Sequence, residues 1–128
     1  VRARAMQVKP AKAATGTAGA GAEALAAEFL TRHGLRVLER NYRVRGGEID
    51  LICADGDCLV FVEVRLRSSR GFGGAGASIT PAKQRRIVLA AGHYLAGKRE
   101  RPCRFDAVLL DGLSTDRIEW LRDAITAD

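Results

Sequence analysis

The sequence predicts an α/β fold in which a mixed sheet is covered by helices. Two segments repeat apolar residues at helical spacing, and at least four shorter segments are rich in β-branched and apolar residues. In chain order the segments run helix, strand, strand, strand, helix, strand, and a short final strand follows. Because runs of strands alternate with helices in this order, a single sheet with helices packed on it is favoured.

The first helix is predicted over residues 19–34. Its apolar residues recur three and four positions apart, as in an amphipathic helix, and the stripe contains Ala22, Leu25, Ala26 and Phe29. Arg32, His33 and then Gly34 provide a C-terminal stop signal. The following segment, 35–44, is predicted to be the first strand because Val37, Tyr42 and Val44 favour extended backbone.

A β-hairpin is predicted next. Residues 46–54 form one strand and residues 58–66 the other, with Asp55-Gly56 as a strong turn signal between them. The second of these strands, "CLVFVEVRL", is nearly continuous in apolar residues, which indicates a central position in the sheet.

A Gly- and Ser-rich stretch, 67–78, is predicted to be a mobile loop, and a second helix is expected over 80–98. Thr80 suits the N-cap of that helix, Pro81 its first position and Gly97 its end. Two further strands are expected at 103–112 and 117–121.

The chain of 128 residues is predicted to have a flexible basic arm, 1–18, and a single domain, 19–128. No secretory signal and no bilayer-spanning run is recognisable, so a cytoplasmic protein with no membrane partner is expected. The three cysteines are odd in number and lack a C-x-x-C pair. Thiolate metal sites and disulfide frameworks are therefore disfavoured.

The net charge of +6 is unevenly distributed. From Arg65 to Arg104 the chain has ten Lys or Arg residues and one acid, Glu100. Such a field suits a polyanion, although a solvated basic face without a ligand explains the composition equally well. On the second helix the candidates for phosphate contact are Lys83, Arg85 and Arg86, since the three cannot all face the core.

Three carboxylates stand among the apolar residues of the predicted hairpin: Glu48, Asp50 and Glu63. A turn centred on Asp55-Gly56 places Asp50 opposite Phe61 and Glu48 opposite Glu63. All three acids and Arg65 then project from one face, and Ile49, Leu51, Cys53, Val60, Val62 and Val64 form the other, core-facing side.

Two glutamates directly opposite each other repel, so a positive group is expected between them. A hard divalent cation is the favoured candidate, because such cations take carboxylate oxygens. The alternative is that the acids are merely solvated on a half-exposed sheet.

Four sequence motifs together resemble the YraN-like family of small bacterial, endonuclease-like proteins. They are G-G-E-I-D-L-I, F-V-E-V, T-P-x-K-Q-R-R and R-F-D, and the resemblance extends over about residues 19–110. The family is placed in the restriction-endonuclease-like superfamily, which includes archaeal Holliday-junction resolvases. The resemblance therefore implies a three-layer α/β/α fold with a central mixed sheet in the order αβββαβ.

The resemblance also implies a catalytic site. The superfamily signature is an Asp followed by E-x-K on the next strand, and Asp50, Glu63 and Arg65 stand at its three positions. Glu23 matches an acid of the first helix that often completes such sites, and Gln84 matches a polar residue of the second helix.

Arg65 is a departure from the signature, which has lysine there. An arginine grips phosphate oxygens but stays protonated, so it cannot serve as a base. Lys83, one position before Gln84, is a candidate source of the missing amine.

The first hypothesis is an endonuclease dependent on Mg²⁺ or Mn²⁺ that cuts DNA, with branched or structured DNA suggested by the resolvase resemblance. The metal would be held by Asp50, Glu63 and the Val64 carbonyl, with Glu23 as an outer or second-metal ligand. Arg65 would steady the transition state, and the basic loop with Arg67 and Arg70 would follow the DNA backbone with the second helix.

Two alternatives remain open. One is a non-catalytic nucleic-acid-binding protein with a degenerate E-x-K motif, and the other is a protein whose basic face meets an acidic protein partner. A homodimer is also left open. Asp106 in R-F-D is expected to pair with Arg104 or a helix terminus, and Trp120 to be a packing residue.

Overall fold

The computed structural model describes residues 17–66, 79–112 and 117–125, with side chains from residue 21 onward. The elements follow the predicted order with the final strand present: α1 (Thr17–Arg32), β1 (Arg36–Val44), β2 (Gly47–Asp55), β3 (Cys58–Leu66), α2 (Pro81–Leu95), β4 (Cys103–Leu110) and β5 (Ile118–Leu121). The predicted arm lies outside the described residues except for 17 and 18, which begin α1. The predicted loop 67–78, with Arg67 and Arg70, also lies outside them.

The five strands form one mixed sheet in the order β1-β2-β3-β4-β5. The β3–β4 pair is parallel, and the other neighbours are antiparallel. Helix α1 packs on one face with Val60 and Val62, and α2 packs on the other with Leu59 and Phe61. The predicted three-layer α/β/α fold and the central position of β3 are confirmed.

Both helices end where the sequence signals predict, to within a few residues. Gly34 and Gly97 follow α1 and α2 with φ of +96° and +80°, a conformation that favours glycine. At the start of α2 the Lys83 N–H donates to Thr80 Oγ1 at 3.1 Å, so Thr80 is the N-cap and Pro81 the first helical residue.

The hairpin register differs from the prediction. Asp55 pairs with Cys58, so the two-residue loop is Gly56-Asp57 and Phe61 lies opposite Ile52 instead of Asp50. Gly56 occupies the first loop position with φ of +61°, which suits the Gly-x type of hairpin turn rather than the Asp-Gly type. Because the shift is two residues, it leaves Glu63 on its predicted face.

The face of Ile49 was also predicted wrongly. Ile49 and Ile52 both pack in the core beneath α2, whereas Leu51 and Cys53 pack beneath α1. The alternation of strand β2 is therefore interrupted at Asp50.

Two adjacent glycines set the contact between α2 and the sheet. Gly46 lies in the turn between β1 and β2 with φ of +83°. A Cβ atom on Gly47 would lie 2.5 Å from the Arg86 carbonyl oxygen and 3.1 Å from the Ala90 nitrogen. The helix backbone therefore rests directly on the start of β2, and this contact positions the first turns of α2.

A buried carboxylate ties the second half of the sheet together. Asp106 is fully buried and accepts from Arg104 Nε at 3.0 Å, from Trp120 Nε1 at 2.9 Å and from the Asp123 N–H at 2.9 Å. The expected pairing of Asp106 with Arg104 is confirmed, and Trp120 packs edge-on against Phe29.

All three cysteines are free thiols. Burial raises the pKa of Cys53 to about 12 and also raises that of Cys58. Within the described part of the chain, no helix is long and apolar enough to cross a membrane.

Candidate active site

The site is built where β2 and β3 part from each other. The ladder between them ends at Leu51 and Val62, although β3 continues beside β4 as far as Leu66. Asp50 Oδ2 accepts a hydrogen bond of 2.8 Å from the Val64 N–H. The Asp50 side chain thus occupies the position where the next backbone partner of Val64 would lie, and this holds the carboxylate against β3.

Three carboxyl groups meet at this point in a connected chain. Asp50 shares one hydrogen bond with the Glu63 side chain and another with the Glu23 side chain of α1. Glu63 is only 3% exposed. Sequence reasoning placed Asp50 and Glu63 on one face of a hairpin, and the structure brings their carboxyl groups into contact.

Burial raises the pKa values of all three acids, and the Asp50 charge raises those of the two glutamates further. Burial raises the pKa of Glu63 to about 8, and the Asp50 charge adds to this effect. Burial followed by the Asp50 charge raises the pKa of Glu23 to about 7, and burial raises that of Asp50 despite the Val64 hydrogen bond. Nearby positive charge would therefore stabilise the ionised form of these acids, and the basic side chains around them supply only part of it.

Lys83 is the cation that α2 places over the acids. Its Nζ atom lies 3.6 Å from Glu63 Oε2 and 3.8 Å from Glu48 Oε2. Glu48 is paired with Arg43 of β1, not with Glu63, and Arg43 Nε lies 3.7 Å from Glu48 Oε1. The positive group expected between Glu48 and Glu63 is thus an ammonium group in this structure.

Arg65 approaches from the other side. Its Nη1 atom lies 3.8 Å from Glu63 Oε2, and about a third of the side chain is exposed. Arg65 and Lys83 both lower the pKa of Glu63, but burial and the Asp50 charge outweigh them.

The other predicted site residues are placed as follows. Gln84 Nε2 donates to the Ile79 carbonyl oxygen at 3.0 Å, so its side-chain amide binds the backbone just before α2. Arg85 and Arg86 are exposed. Val64 reaches Asp50 through its N–H group.

Asn41 is a site residue that sequence reasoning missed. Its side chain hydrogen-bonds Glu23, and its φ of +53° is unusual for a strand residue other than glycine. Asparagine tolerates this conformation better than most residues, so the Asn within a β-rich segment was the available signal. Arg43 was missed as well.

The donor set suits a hydrated cation better than an enclosed one. In the stretches that the structure describes, no group of three or more His, Cys, Asp or Glu side chains is arranged to hold a metal ion. Mg²⁺ is commonly bound by one or two carboxylates and keeps several waters for the remaining positions. The Asp50–Glu63 pair fits that mode, and Glu23 fits an outer position through its hydrogen bond to Asp50.

Comparison with known proteins identifies the family. The model of the family described as "Uncharacterised protein family UPF0102" matches residues 22–110. A UPF0102 protein of Dechloromonas aromatica (strain RCB) is 62% identical over 123 residues, covering 96% of this chain and 99% of its own. A UPF0102 protein of Nitrosomonas europaea is 57% identical over 110 residues, covering 85% and 93% respectively.

A UPF0102 protein of Cupriavidus taiwanensis is 62% identical over 112 residues, with 86% of this chain and 83% of its own covered. The YraN-like resemblance carried by the sequence motifs refers to the same family. The family match ends at Leu110 and contains every acid and cation of the site described above. The chain belongs to the UPF0102 family.

Proposed function

We propose that this protein is a divalent-metal-dependent endonuclease that hydrolyses phosphodiester bonds in DNA. The observation that carries the proposal is the pairing of the buried Glu63 carboxyl with the partly buried Asp50 carboxyl, with the Lys83 ammonium 3.6 Å from Glu63. Two carboxylates that share a site are destabilised without a cation, and a phosphodiester needs positive charge beside it during cleavage.

Asp50, Glu63 and the Val64 carbonyl would hold Mg²⁺ or Mn²⁺, with Glu23 as an outer ligand. When bound, such a cation polarises the phosphate and lowers the pKa of its water towards neutrality. Asp50 is fixed for this role by the Val64 N–H, which leaves its other oxygen available to the site.

Lys83 and Arg65 would share the work of the signature lysine. Arg65 stands at the lysine position and can grip phosphate oxygens with its planar guanidinium group. Lys83 reaches the same carboxylate from α2 and adds a compact ammonium at the point where the strand lacks one. Gln84, in the first turns of the same helix, is a polar neighbour of the substrate in this proposal.

The basic residues Arg85 and Arg86, together with Arg67 and Arg70 beyond the described residues, would contact the DNA backbone without reading sequence. A branched or structured DNA substrate is proposed from the resemblance to Holliday-junction resolvases.

The test is a nicking assay on supercoiled plasmid with Mg²⁺ or Mn²⁺. Wild type is compared with Asp50→Asn and Glu63→Gln, and Asp57→Asn serves as the control because that exposed acid lies at the hairpin turn, away from the site. Nicking is expected in wild type and Asp57→Asn and should be lost in both site variants. Cleavage that survives both site substitutions would come from a contaminant and would refute the proposal.

A non-catalytic nucleic-acid-binding protein is the second candidate, and Arg65 in place of lysine is the observation that favours it. In that case the wild type shifts DNA in a gel but nicks nothing with either metal. Binding that is absent across a salt series would exclude both candidates and favour an acidic protein partner.

A further inference from the structure

Strand β1 and the turn that follows it carry exposed arginines along one edge of the sheet. These residues are Arg36, Arg40, Arg43 and Arg45, and we call them the β1 arginine edge. Between residues 36 and 45 the chain has a single acid, Glu39. Because β1 is the outermost strand, no other strand covers its outer side. Arg36 lies opposite Ala54 and Arg40 opposite Leu51, so their side chains leave β1 on opposite faces of the sheet and flank the same uncovered edge.

A second arginine cluster in the molecule is neutralised by its own acids. Arg99 and Arg101 pair with Asp57, and Arg104 pairs with Asp55 and Asp106. These arginines belong to the basic segment for which the sequence predicts a polyanionic partner. In the structure, Asp55 and Asp57 at the hairpin turn form ion pairs with them. That end of the molecule therefore attracts a polyanion less than its composition suggests.

The β1 arginine edge is different. Among the described residues, no carboxylate lies within ion-pair distance of Arg36, Arg40 or Arg45. Arg43 is 56% exposed and contacts Glu48 at a loose 3.7 Å. Within the described ranges, most of the positive charge on this edge is therefore not neutralised by ion pairs, and the exposed guanidinium groups repel one another.

The edge leads into the acid cluster. From Arg43 the contacts run to Glu48, then to Lys83 at 3.8 Å and from Lys83 to Glu63 at 3.6 Å. At the β1–β2 turn, Gly47 lies against the Arg86 backbone, so Arg45 and the exposed Arg86 border the same corner. The ten residues from Arg36 to Arg45 span at most about 30 Å, since a bulge and the left-handed Asn41 shorten the strand.

We propose that the β1 arginine edge is the surface along which the DNA sugar-phosphate backbone lies as it enters the site. The choice of DNA as the polyanion rests on the proposed function. Guanidinium groups bind phosphate oxygens as planar forks, and contacts of this kind hold a duplex in register without recognising its bases.

The test measures binding of a 30-bp fluorescent duplex by anisotropy in EDTA, across a salt series. The double variant Arg36→Gln/Arg40→Gln removes two charges from the edge and leaves the acid cluster and Lys83 intact. Arg99→Gln/Arg101→Gln is the matched control, since it removes the same charge from the neutralised cluster. The edge variant should bind more weakly, and its log–log salt slope should fall by about 1.8, or about 0.9 for each lost phosphate contact.

The control variant should keep a slope within about 0.5 of wild type. Equal losses in the two variants would show a response to net charge alone and would overturn the proposal. An unchanged slope in the edge variant would do the same, and self-association of that variant on gel filtration would then assign the arginines to protection of an open strand edge.

Binding in EDTA needs no cleavage, so this experiment is independent of the nicking assay. If wild type nicks DNA but the edge variant keeps the full slope, the proposed function stands and the route along β1 fails. If the slope falls as expected but no metal supports nicking, the surface stands and catalysis fails.

Discussion

At the scale of single residues, the site depends on how Asp50 is held. Its carboxylate accepts a hydrogen bond from the Val64 N–H, which a backbone carbonyl of the neighbouring strand would otherwise accept. The same carboxylate interacts with the side chains of Glu63 and Glu23. The acids are buried enough that their pKa values rise, yet Lys83 and Arg65 approach within 4 Å of Glu63. The two cations are therefore expected to differ in importance, because among the described residues Lys83, unlike Arg65, also lies within 4 Å of a second acid, Glu48.

Lys83→Ala is expected to lower the nicking rate about 10²- to 10³-fold, the usual effect of removing one group that stabilises transition-state charge. The rate is expected to fall because the substitution removes the ammonium group beside Glu63. The measurement is the initial nicking rate at saturating metal.

Lys98→Ala, on the chain just after the same helix, is the control and should retain the wild-type rate. Arg65→Lys restores the signature residue and is expected to raise the rate. If Lys83→Ala nicks as fast as wild type while Arg65→Ala is inactive, the strand arginine alone carries the charge.

At the scale of the elements, the position of α2 decides whether Lys83 reaches the site. The helix backbone touches β2 at Gly47, where no Cβ fits, and Thr80 and Pro81 set where the helix begins. The motif G-G-E thus has a structural meaning beyond its acid. Gly46 makes the turn and Gly47 admits the helix.

Gly47→Ala is expected to destabilise the protein by about 1–3 kcal/mol, because the added methyl overlaps the Arg86 carbonyl and forces α2 away. Urea denaturation measures this change. Gly92→Ala in the middle of α2 is the control.

No atom lies within 4 Å of a Cβ built on Gly92, so that variant should gain about 0.5–1 kcal/mol from helix propensity. Equal stability of the two variants would contradict the close contact at Gly47.

Sequence reasoning predicted the elements well and the site only in part. Glu63 and Arg65 were placed on one face because strand side chains alternate, and this survives a two-residue error in register. The register itself depended on whether Asp55 or Gly56 takes the first position of the loop. The two choices correspond to two different types of hairpin turn that both contain glycine. The asparagine at position 41 was a local signal for a left-handed residue, but its position beside Glu23 depends on how α1 packs on the sheet. The approach of Lys83 to the acids depends on the contact between α2 and Gly47, which no local pattern encodes.

At the scale of the whole molecule, the acid cluster links stability to pH. The pKa of Glu63 is about 8 in the folded protein and 4.5 as an ordinary glutamate. The folded state therefore retains a proton that the unfolded chain releases between these values. This contribution to stability is fully present below about pH 4.5 and is lost as the pH rises through about 8.

Metal-free protein is thus expected to lose up to about 1.4 kcal/mol of stability per pH unit between pH 5 and 8 relative to Glu63→Gln, which cannot titrate. Urea denaturation in EDTA at a series of pH values measures the difference. Glu28→Gln, an exposed acid paired with Arg32 on α1, is the control and should keep the wild-type slope. A Glu63→Gln profile parallel to wild type would show that Glu63 is ionised in the fold.

The anchorage of Asp106 has a consequence for where this domain ends. The family match stops at Leu110, but two of the donors to Asp106 come from Trp120 and Asp123, and Ile125 is buried beneath α2. A chain trimmed at residue 110 would lack β5, the outer neighbour of β4. The buried Asp106 carboxylate would then lose two of its hydrogen-bond donors. The segment after the family match therefore completes the sheet and its buried hydrogen bonds, and recombinant versions of the protein should extend past Ile125.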